Sequence, residues 1–518
     1  VTASDASQAS PRARGPLSWF YDFAVSPAGF FTILFVYIAV SILLRLWISP
    51  VLGTDEIEQA LLANDWRLGY NPRQPPLYTW ILLSGYAVFG RTLLAHVVVK
   101  YGVLAAMFVA SYFAGRRLLK WPSHAALATY ALVLLYNIGW GAHTGYTHSL
   151  LLSVFIFLTL WVVSRAFEGR RLLDYALFGV IIGLGFLTKF SFAIFLVPLL
   201  IGCCFVAPLR AGLLNWRTLV SVTIAVAILA LPVNWMIHAP YHYSRALQQV
   251  AGVAENSSYF ANVGAGLLSL LSGPISFLAP FWIAALLFWR TLRAKGEGDA
   301  PRGKALWIAL GVTGVALIAL VFVVQVTDFK PRYLHPVLLT APLLFFLWLD
   351  RRPDNPRAER WFASAAGVFA LIVFGALIGQ TLVEPRGCKN CWLQMPVPAL
   401  AAALEVQGLG DGTVLTESAH IGGNLRLFLP RARVYSPDYP MAEAAPTGRG
   451  QCVLIWNSRM HGQTAPEPLV DFLTEHFGGV GRNGPTIYVT EPLLRGGGRT
   501  DSFGVMRVAG RNGDCTPN

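Results

Sequence analysis

Runs of about 20 apolar residues recur along this chain, and they decide most of what it can fold into. Phe30–Leu46, Leu151–Val163, Thr218–Leu231 and Leu306–Val326 are four of them. A bilayer core about 30 Å thick takes about 20 helical residues to cross. Of the 518 residues, 55% are hydrophobic and 13% charged, where an ordinary soluble chain carries about 25% charged. A water-soluble fold of this length could not hide that much apolar sequence. The sequence therefore predicts a polytopic α-helical membrane protein. Phe30–Leu46 lacks the short apolar core and small-residue cleavage site of a signal peptide and reads as a retained first span.

The charge is uneven. Residues 1–383 hold 28 Lys+Arg against 15 Asp+Glu, and residues 384–518 hold 12 of each. The whole excess of +13 thus lies among the apolar runs, which favours a topology signal over nucleic-acid binding. Basic clusters occupy alternate turns: Arg116/Arg117/Lys120, Arg165/Arg170/Arg171, Arg210/Arg217, Arg290 to Lys304, and Arg351 to Arg360. The positive-inside rule places them, with Arg12 and Arg14, in the cytoplasm. The remaining loops and everything after about 383 then face out. About 11 spans follow, near 28–48, 93–115, 123–140, 149–164, 173–188, 191–208, 218–235, 266–289, 305–326, 333–349 and 361–382. The span 266–289 contains Pro274 and Pro280, which a span tolerates when neighbours satisfy the freed backbone groups.

Two domains are expected: a transmembrane part, 1–383, and a small soluble α/β domain, 384–518. In the tail, 398–406 and 468–477 suit helices; 413–415, 433–435, 453–456 and 487–489 suit strands. Four of the six cysteines lie there. Cys388 and Cys391 form a CxxC without the preceding strand of a redox motif or the second pair of a zinc site. An outside location favours a structural disulfide between them.

The first outside loop carries uncommon chemistry. Ile57, Leu61, Leu62 and Trp66 recur at helical spacing, so an amphipathic helix on the membrane surface is predicted, with a second short interfacial helix over 77–90. Asp55-Glu56 lies just beyond a span, where a desolvated carboxylate is costly and tends to be functional. Such a carboxylate can take a proton from an attacking hydroxyl. The bland alternative is a solvated helix start with acidic residues in its first turn. The stretch Tyr70 to Tyr78, with Pro72, Pro75 and Pro76, is a rigid exit from the loop or a substrate-shaping wall. His143 and His148 flank another outside turn. His238 and His242 have zinc-like spacing, but Pro240 between them argues against a shared helix face. Lys189, Lys330, Arg332 and His335 lie at the outer ends of spans. Each alone could snorkel to the interface; together, on the side of Asp55, they suit a phosphate.

In order along the chain, Gly53-Thr54-Asp55-Glu56, Gly69-Tyr70, Gln74-Pro75-Pro76-Leu77, Gly183 to Lys189, and Lys330-x-Arg332-Tyr333-x-x-Pro336 resemble the bacterial branch of glycosyltransferase family 39. That family shares the GT-C fold with protein O-mannosyltransferases and aminoarabinose lipid A transferases. The resemblance covers about residues 20–350. It implies inverting transfer of a sugar from a polyprenyl-phosphate donor at the periplasmic face of the inner membrane, with the N-terminus cytoplasmic and the tail periplasmic. Carried over, Asp55 would be the general base and Glu56 its orienting partner. Lys189, Lys330, Arg332 and Arg73 would hold the donor phosphate. Tyr70, Gln74, Tyr78, His148, Tyr333 and His335 would line the substrates. Two departures stand out. Arg73-Gln74 replaces the Glu-Lys that aminoarabinose transferases carry before Pro-Pro, and Thr147-His148-Ser149 stands where many members have an acidic residue. The first moves the reading away from aminoarabinose, and His148 becomes either a substitute or a helix cap.

The expected function is therefore a glycosyltransferase acting on lipid A, core lipopolysaccharide or another envelope glycan. The sequence leaves room for a divalent metal without requiring one. A protein O-glycosyltransferase of the same fold is the enzymatic alternative. A lipid or glycan flippase is the alternative of another class, but it would bring broken helices, internal repeats and ionisable residues near mid-membrane, whereas the sequence shows no internal repeat and its charges gather at one face. An assembly protein that uses the tail to bind partners is a third reading.

Overall fold

A computed structural model describes residues 16–71, 74–238, 258–296, 301–388, 391–439, 451–477, 484–496 and 498–508. Among these, eight helices are long and apolar enough to cross a membrane, or ten if two bent pairs each count as one span. They include Pro27–Ile48 (α1), Leu93–Leu118, His148–Gly169, Thr218–His238, Tyr259–Arg293, Gly303–Val323, Pro331–Leu349 and Pro356–Gly387. Large apolar side chains on them, such as Phe35, Leu43, Leu219, Val323 and Leu371, are exposed on the surface. In water such a surface would aggregate; in a bilayer it is the lipid contact. The protein is a multi-pass membrane protein.

Local chemistry starts and stops these helices. Ser26 accepts a hydrogen bond from the Gly29 N–H at 3.1 Å, and Pro27 follows as the first helical residue of α1, where its missing N–H costs nothing. Both Pro274 and Pro280 lie inside one continuous helix, Tyr259–Ala285. Two expected spans are not straight. Pro122–Leu134 and Tyr136–Thr144 meet at 75°, where Leu135 takes an extended ψ of 127°. Phe192–Cys204 turns by 114° into Ala207–Leu213, whose early Pro208 starts a new helix. Leu172–Phe186, at the expected span 173–188, is a 15-residue apolar helix.

The loop between α1 and Leu93 holds Thr54–Leu62 (α2) and Leu77–Phe89 (α3). Here the structure corrects an expectation. α2 is not a surface helix, because every residue from Glu56 to Leu62 is buried. Its cover is the tail, and that is why an apolar stripe was read as a membrane-facing one: the stripe is real, but protein fills it. Leu93–Leu118 (α4) and His148–Gly169 (α5) pack on each other behind the loop.

Pro356–Gly387 (α6) runs through the expected boundary at 383/384. A five-stranded sheet follows, made of Thr413–Thr416 (β1), Arg433–Tyr435 (β2), Cys452–Asn457 (β3), Ile487–Pro492 (β4) and Thr500–Val508 (β5), in the order β2-β1-β3-β5-β4. β1 pairs in parallel with β2 and β3, with Val414 opposite Val434 and Val453. β5 pairs antiparallel with β3 and β4. Strands β1, β2 and β3 are buried along their whole lengths, as expected of strands covered on both faces. Ala419–Phe428 (α7) connects β1 to β2 and lies on α2. The approach is close: a Cβ on Gly423 would meet the Ile57 carbonyl oxygen at 2.5 Å. The Leu52 N–H donates to Asn424 Oδ1 at 2.6 Å. Ile57, Leu61, Ile421 and Leu425 share one apolar core with the membrane helices. Cys388 and Cys391 are joined by a disulfide.

Candidate active site

α2 starts at Thr54, with Gly53 as its N-cap. It therefore presents two adjacent carboxylates about 100° apart around its first turn. Their surroundings differ. Glu56 is fully buried. Its Oε2 accepts from Arg45 Nη2 at 2.9 Å and from the Gly53 N–H at 2.8 Å, and its Oε1 accepts from Lys100 Nζ at 2.9 Å. Arg45 also donates to the carbonyls of Ser49 and Val51. Burial works against the charged form of Glu56, but Arg45 and Lys100 outweigh it and hold the carboxyl well below its ordinary range. Glu56 is a knot that ties α1, α2 and α4.

Asp55 is half-buried. Its Oδ2 accepts from the Thr147 N–H at 3.2 Å, and Oδ1 accepts no hydrogen bond among the described residues. Burial raises its pKa above the ordinary carboxylate value, opposed by the Thr147 N–H and by the charges of Lys189 and Lys100. A carboxylate with one uncommitted oxygen and a raised proton affinity is what a general base requires.

Lys189 follows the end of Leu172–Phe186 and donates to Ser149 Oγ at 3.1 Å. Burial lowers its pKa, and the nearby Asp55 charge acts in the opposite direction. His148 opens α5 with Thr147 as N-cap. It lies 3.0 Å from Gln59 Nε2, whose amide oxygen accepts from Thr79 Oγ1 at 2.7 Å. The Tyr78 and His148 rings are 5.2 Å apart, and Tyr78 is buried. Asp55, Glu56, Tyr78, His148 and Lys189 thus gather where α2 meets the start of α5.

The other expected residues are placed as follows. Tyr70 gives its hydroxyl to the Asp65 carbonyl and accepts from the Arg67 N–H, so it braces the loop. The Gln74 side-chain oxygen is buried with no hydrogen-bond partner among the described residues. Arg332 is exposed and donates to the Tyr333 hydroxyl at 3.2 Å; its charge reaches both Lys189 and Tyr146. Lys330 is exposed and lies 3.8 Å from Asp328. His335 is buried against Ser153 Oγ at 2.8 Å. Arg73 and His242 fall outside the described residues. No group of three His, Cys, Asp or Glu among the described residues is placed to hold a metal ion.

Sequence reading missed four contributors: Arg45, Lys100, Gln59 and Tyr439. Arg45 and Lys100 lie inside long apolar helices, where their being charged was the available signal. Tyr439, from the tail, hydrogen-bonds Glu58 of α2.

The chain is similar to several known proteins. Residues 73–238 match the family model described as dolichyl-phosphate-mannose-protein mannosyltransferase. The lipopolysaccharide core galacturonosyltransferase RgtA of Rhizobium johnstonii is 29% identical over 439 residues, covering 82% of this chain and 86% of that protein. RgtB of the same organism is 25% identical over 452 residues, covering 86% of this chain and 91% of that protein. The undecaprenyl phosphate-α-4-amino-4-deoxy-L-arabinose arabinosyl transferase of Pseudomonas aeruginosa is 26% identical over 329 residues, covering 58% of this chain and 55% of that protein. Among solved structures, ArnT from Cupriavidus metallidurans bound to undecaprenyl phosphate superposes with a TM-score of 0.60 at 14% identity, covering 93% of this chain and 98% of that one. The chain is thus similar in sequence to membrane glycosyltransferases and shares the fold of ArnT.

Proposed function

We propose that this protein transfers a sugar from a polyprenyl-phosphate donor to lipopolysaccharide, on its core or lipid A, at the periplasmic face of the bacterial inner membrane. A hexuronic acid of the galacturonic type is the favoured sugar, because the relatives aligned over most of the chain are named galacturonosyltransferases. The carrying observation is the Asp55 oxygen that accepts no hydrogen bond among the described residues, with the half-buried cation Lys189 near enough for its charge to act on that carboxylate.

The reaction is a single displacement. The acceptor hydroxyl oxygen attacks C1 of the donor sugar from the face opposite the phosphate. The C1–O bond to the phosphate breaks, and the hydroxyl proton passes to Asp55. Polyprenyl phosphate leaves as an anion, and C1 is inverted. Lys189, with Arg332 behind it, offers fixed positive charge to the leaving phosphate, which is where charge grows in the transition state. Glu56 takes no proton. Held by Arg45 and Lys100, it fixes the first turn of α2 and so the direction of Asp55.

Purified protein in nanodiscs, given polyprenyl-phosphate galacturonic acid and lipopolysaccharide from a strain lacking the gene, is expected to form galacturonosylated product visible by mass spectrometry. Transfer at the wild-type rate by Asp55→Asn would remove Asp55 as base. The second reading is a protein O-glycosyltransferase, favoured by the family model that matches residues 73–238. Glycoproteomics of a deletion strain separates the two, since only that reading predicts lost glycopeptides with unchanged lipopolysaccharide.

A further inference from the structure

On the Glu56 side of α2 lies a second cavity of about 170 Å³. A water takes about 30 Å³ of liquid, so the space exceeds what one structural water needs and is of the order of a single sugar ring. Its wall comes from both halves of the chain: Gly53, Thr54 and Glu56 from the first loop, Lys100 from α4, Gln380 and Glu384 from α6, and Trp392 and His420 from the tail. Lys189 and Arg332 are not part of it.

Three features of this cavity are unspent. The Glu384 Oε2 atom is buried and has no hydrogen-bond partner among the described residues, a costly state for a carboxylate oxygen. Lys100 is buried and has three N–H donors, of which one is used, on Glu56, among the described residues. Trp392 is half-buried and packs its ring 4.3 Å from that of His420, which leaves an aromatic wall at the cavity mouth. The charged lining is balanced, with Arg45 and Lys100 against Glu56 and Glu384. Balance argues against a phosphate, and buried charged groups set among the apolar Ile48, Leu377 and Leu393 argue against an acyl chain, which would leave those charges without partners. A carboxylate oxygen, ammonium donors and an aromatic face together suit the hydroxyls and the flat C–H face of a neutral pyranose.

We propose that this cavity is an acceptor subsite, holding one neutral sugar ring of the glycan that receives the transferred residue. The ring stacks on Trp392, donates a hydroxyl proton to Glu384 and accepts from Lys100. The proposal rests on the glycosyl-transfer reading given above. It places the acceptor glycan on the tail side of α2, with the donor phosphate on the Lys189 side and Asp55 between them.

The test uses the full chain in nanodiscs and, as probe, the oligosaccharide backbone released from lipopolysaccharide by deacylation. Binding is read by calorimetry without donor, and turnover separately with donor present. Wild type is expected to bind the probe, and Glu384→Gln to weaken binding at least tenfold. Trp392→Ala should abolish it, and Trp392→Phe should keep most of it. In turnover, Glu384→Gln should raise acceptor KM about tenfold while leaving donor KM and kcat unchanged. Unaltered acceptor KM in a folded Glu384→Gln protein overturns the subsite, as does a rise in donor KM in its place. If Trp392→Ala does not fold, Glu384→Gln alone decides. Probe binding that the variants lose, without any sugar transfer by wild type, keeps the cavity as a sugar site and removes the transfer reading; transfer with variant-insensitive acceptor KM does the reverse.

Discussion

The two sides of the first turn of α2 carry the same chemical group and treat it in opposite ways. On one side Glu56 is saturated by Arg45, Lys100 and a backbone N–H, all at 2.8 to 2.9 Å. On the other, Asp55 has one backbone donor at 3.2 Å and cations that act from a distance. A carboxylate that is fully paired is a structural part with no proton affinity to offer near neutral pH. One that is desolvated and under-paired holds its proton affinity in reserve. On the proposed reading, adjacent positions in sequence thus separate holding the loop from doing the chemistry.

That contrast can be broken in stages. The largest effect is expected from Asp55→Asn, which should lower kcat about 10²–10⁴-fold while leaving thermal stability unchanged or slightly raised, since burial disfavours the charged form of Asp55. Glu56→Gln should act first on stability. It strands two buried cations, so a loss of about 3–5 kcal/mol of stability is expected, read as a lower midpoint of thermal unfolding in detergent. Lys189→Met should lower kcat about 10²-fold and also move the acid limb of the pH–rate profile. The sign follows from its charge: Lys189 lowers the Asp55 pKa, so removing it raises that pKa, and activity is lost at a higher pH as the medium is acidified. An unmoved limb in Lys189→Met would separate the two groups electrostatically. The smallest effect is expected from Gly423→Ala, where the added methyl meets the Ile57 carbonyl. Such overpacking costs about 1–3 kcal/mol. Activity should fall because α2 loses its register against the tail, and hydrogen exchange along α2 should rise.

The membrane helices were legible because hydropathy over about 20 residues is a strong signal. Asp55 and Lys189 were legible because charges at span ends are rare enough to ask for a reason. Arg45 and Lys100 were hidden by the same averaging that found the spans: a single cation inside a long apolar run barely moves its mean. In the tail, α7 escaped because Gly422-Gly423-Asn424 reads as a turn, whereas its helix is held by packing on α2. β5 escaped because Gly504 interrupts its pattern. In the structure that glycine makes room for Trp456, whose ring would lie 2.3 Å from a Cβ there. What sequence could not supply was the partner surface, and without it a stripe made to meet protein looks like one made to meet lipid.

The clasp of α7 on α2 joins residues 372 apart, as the Leu52–Asn424 hydrogen bond shows. On the ribosome, the loop bearing the two carboxylates is made 372 residues before the part of its cover that it bonds. The loop must therefore wait, uncovered, while the rest of the bundle is inserted. Completion of the site waits for α7, and a chain terminated before it would carry the carboxylates without the surface that covers them.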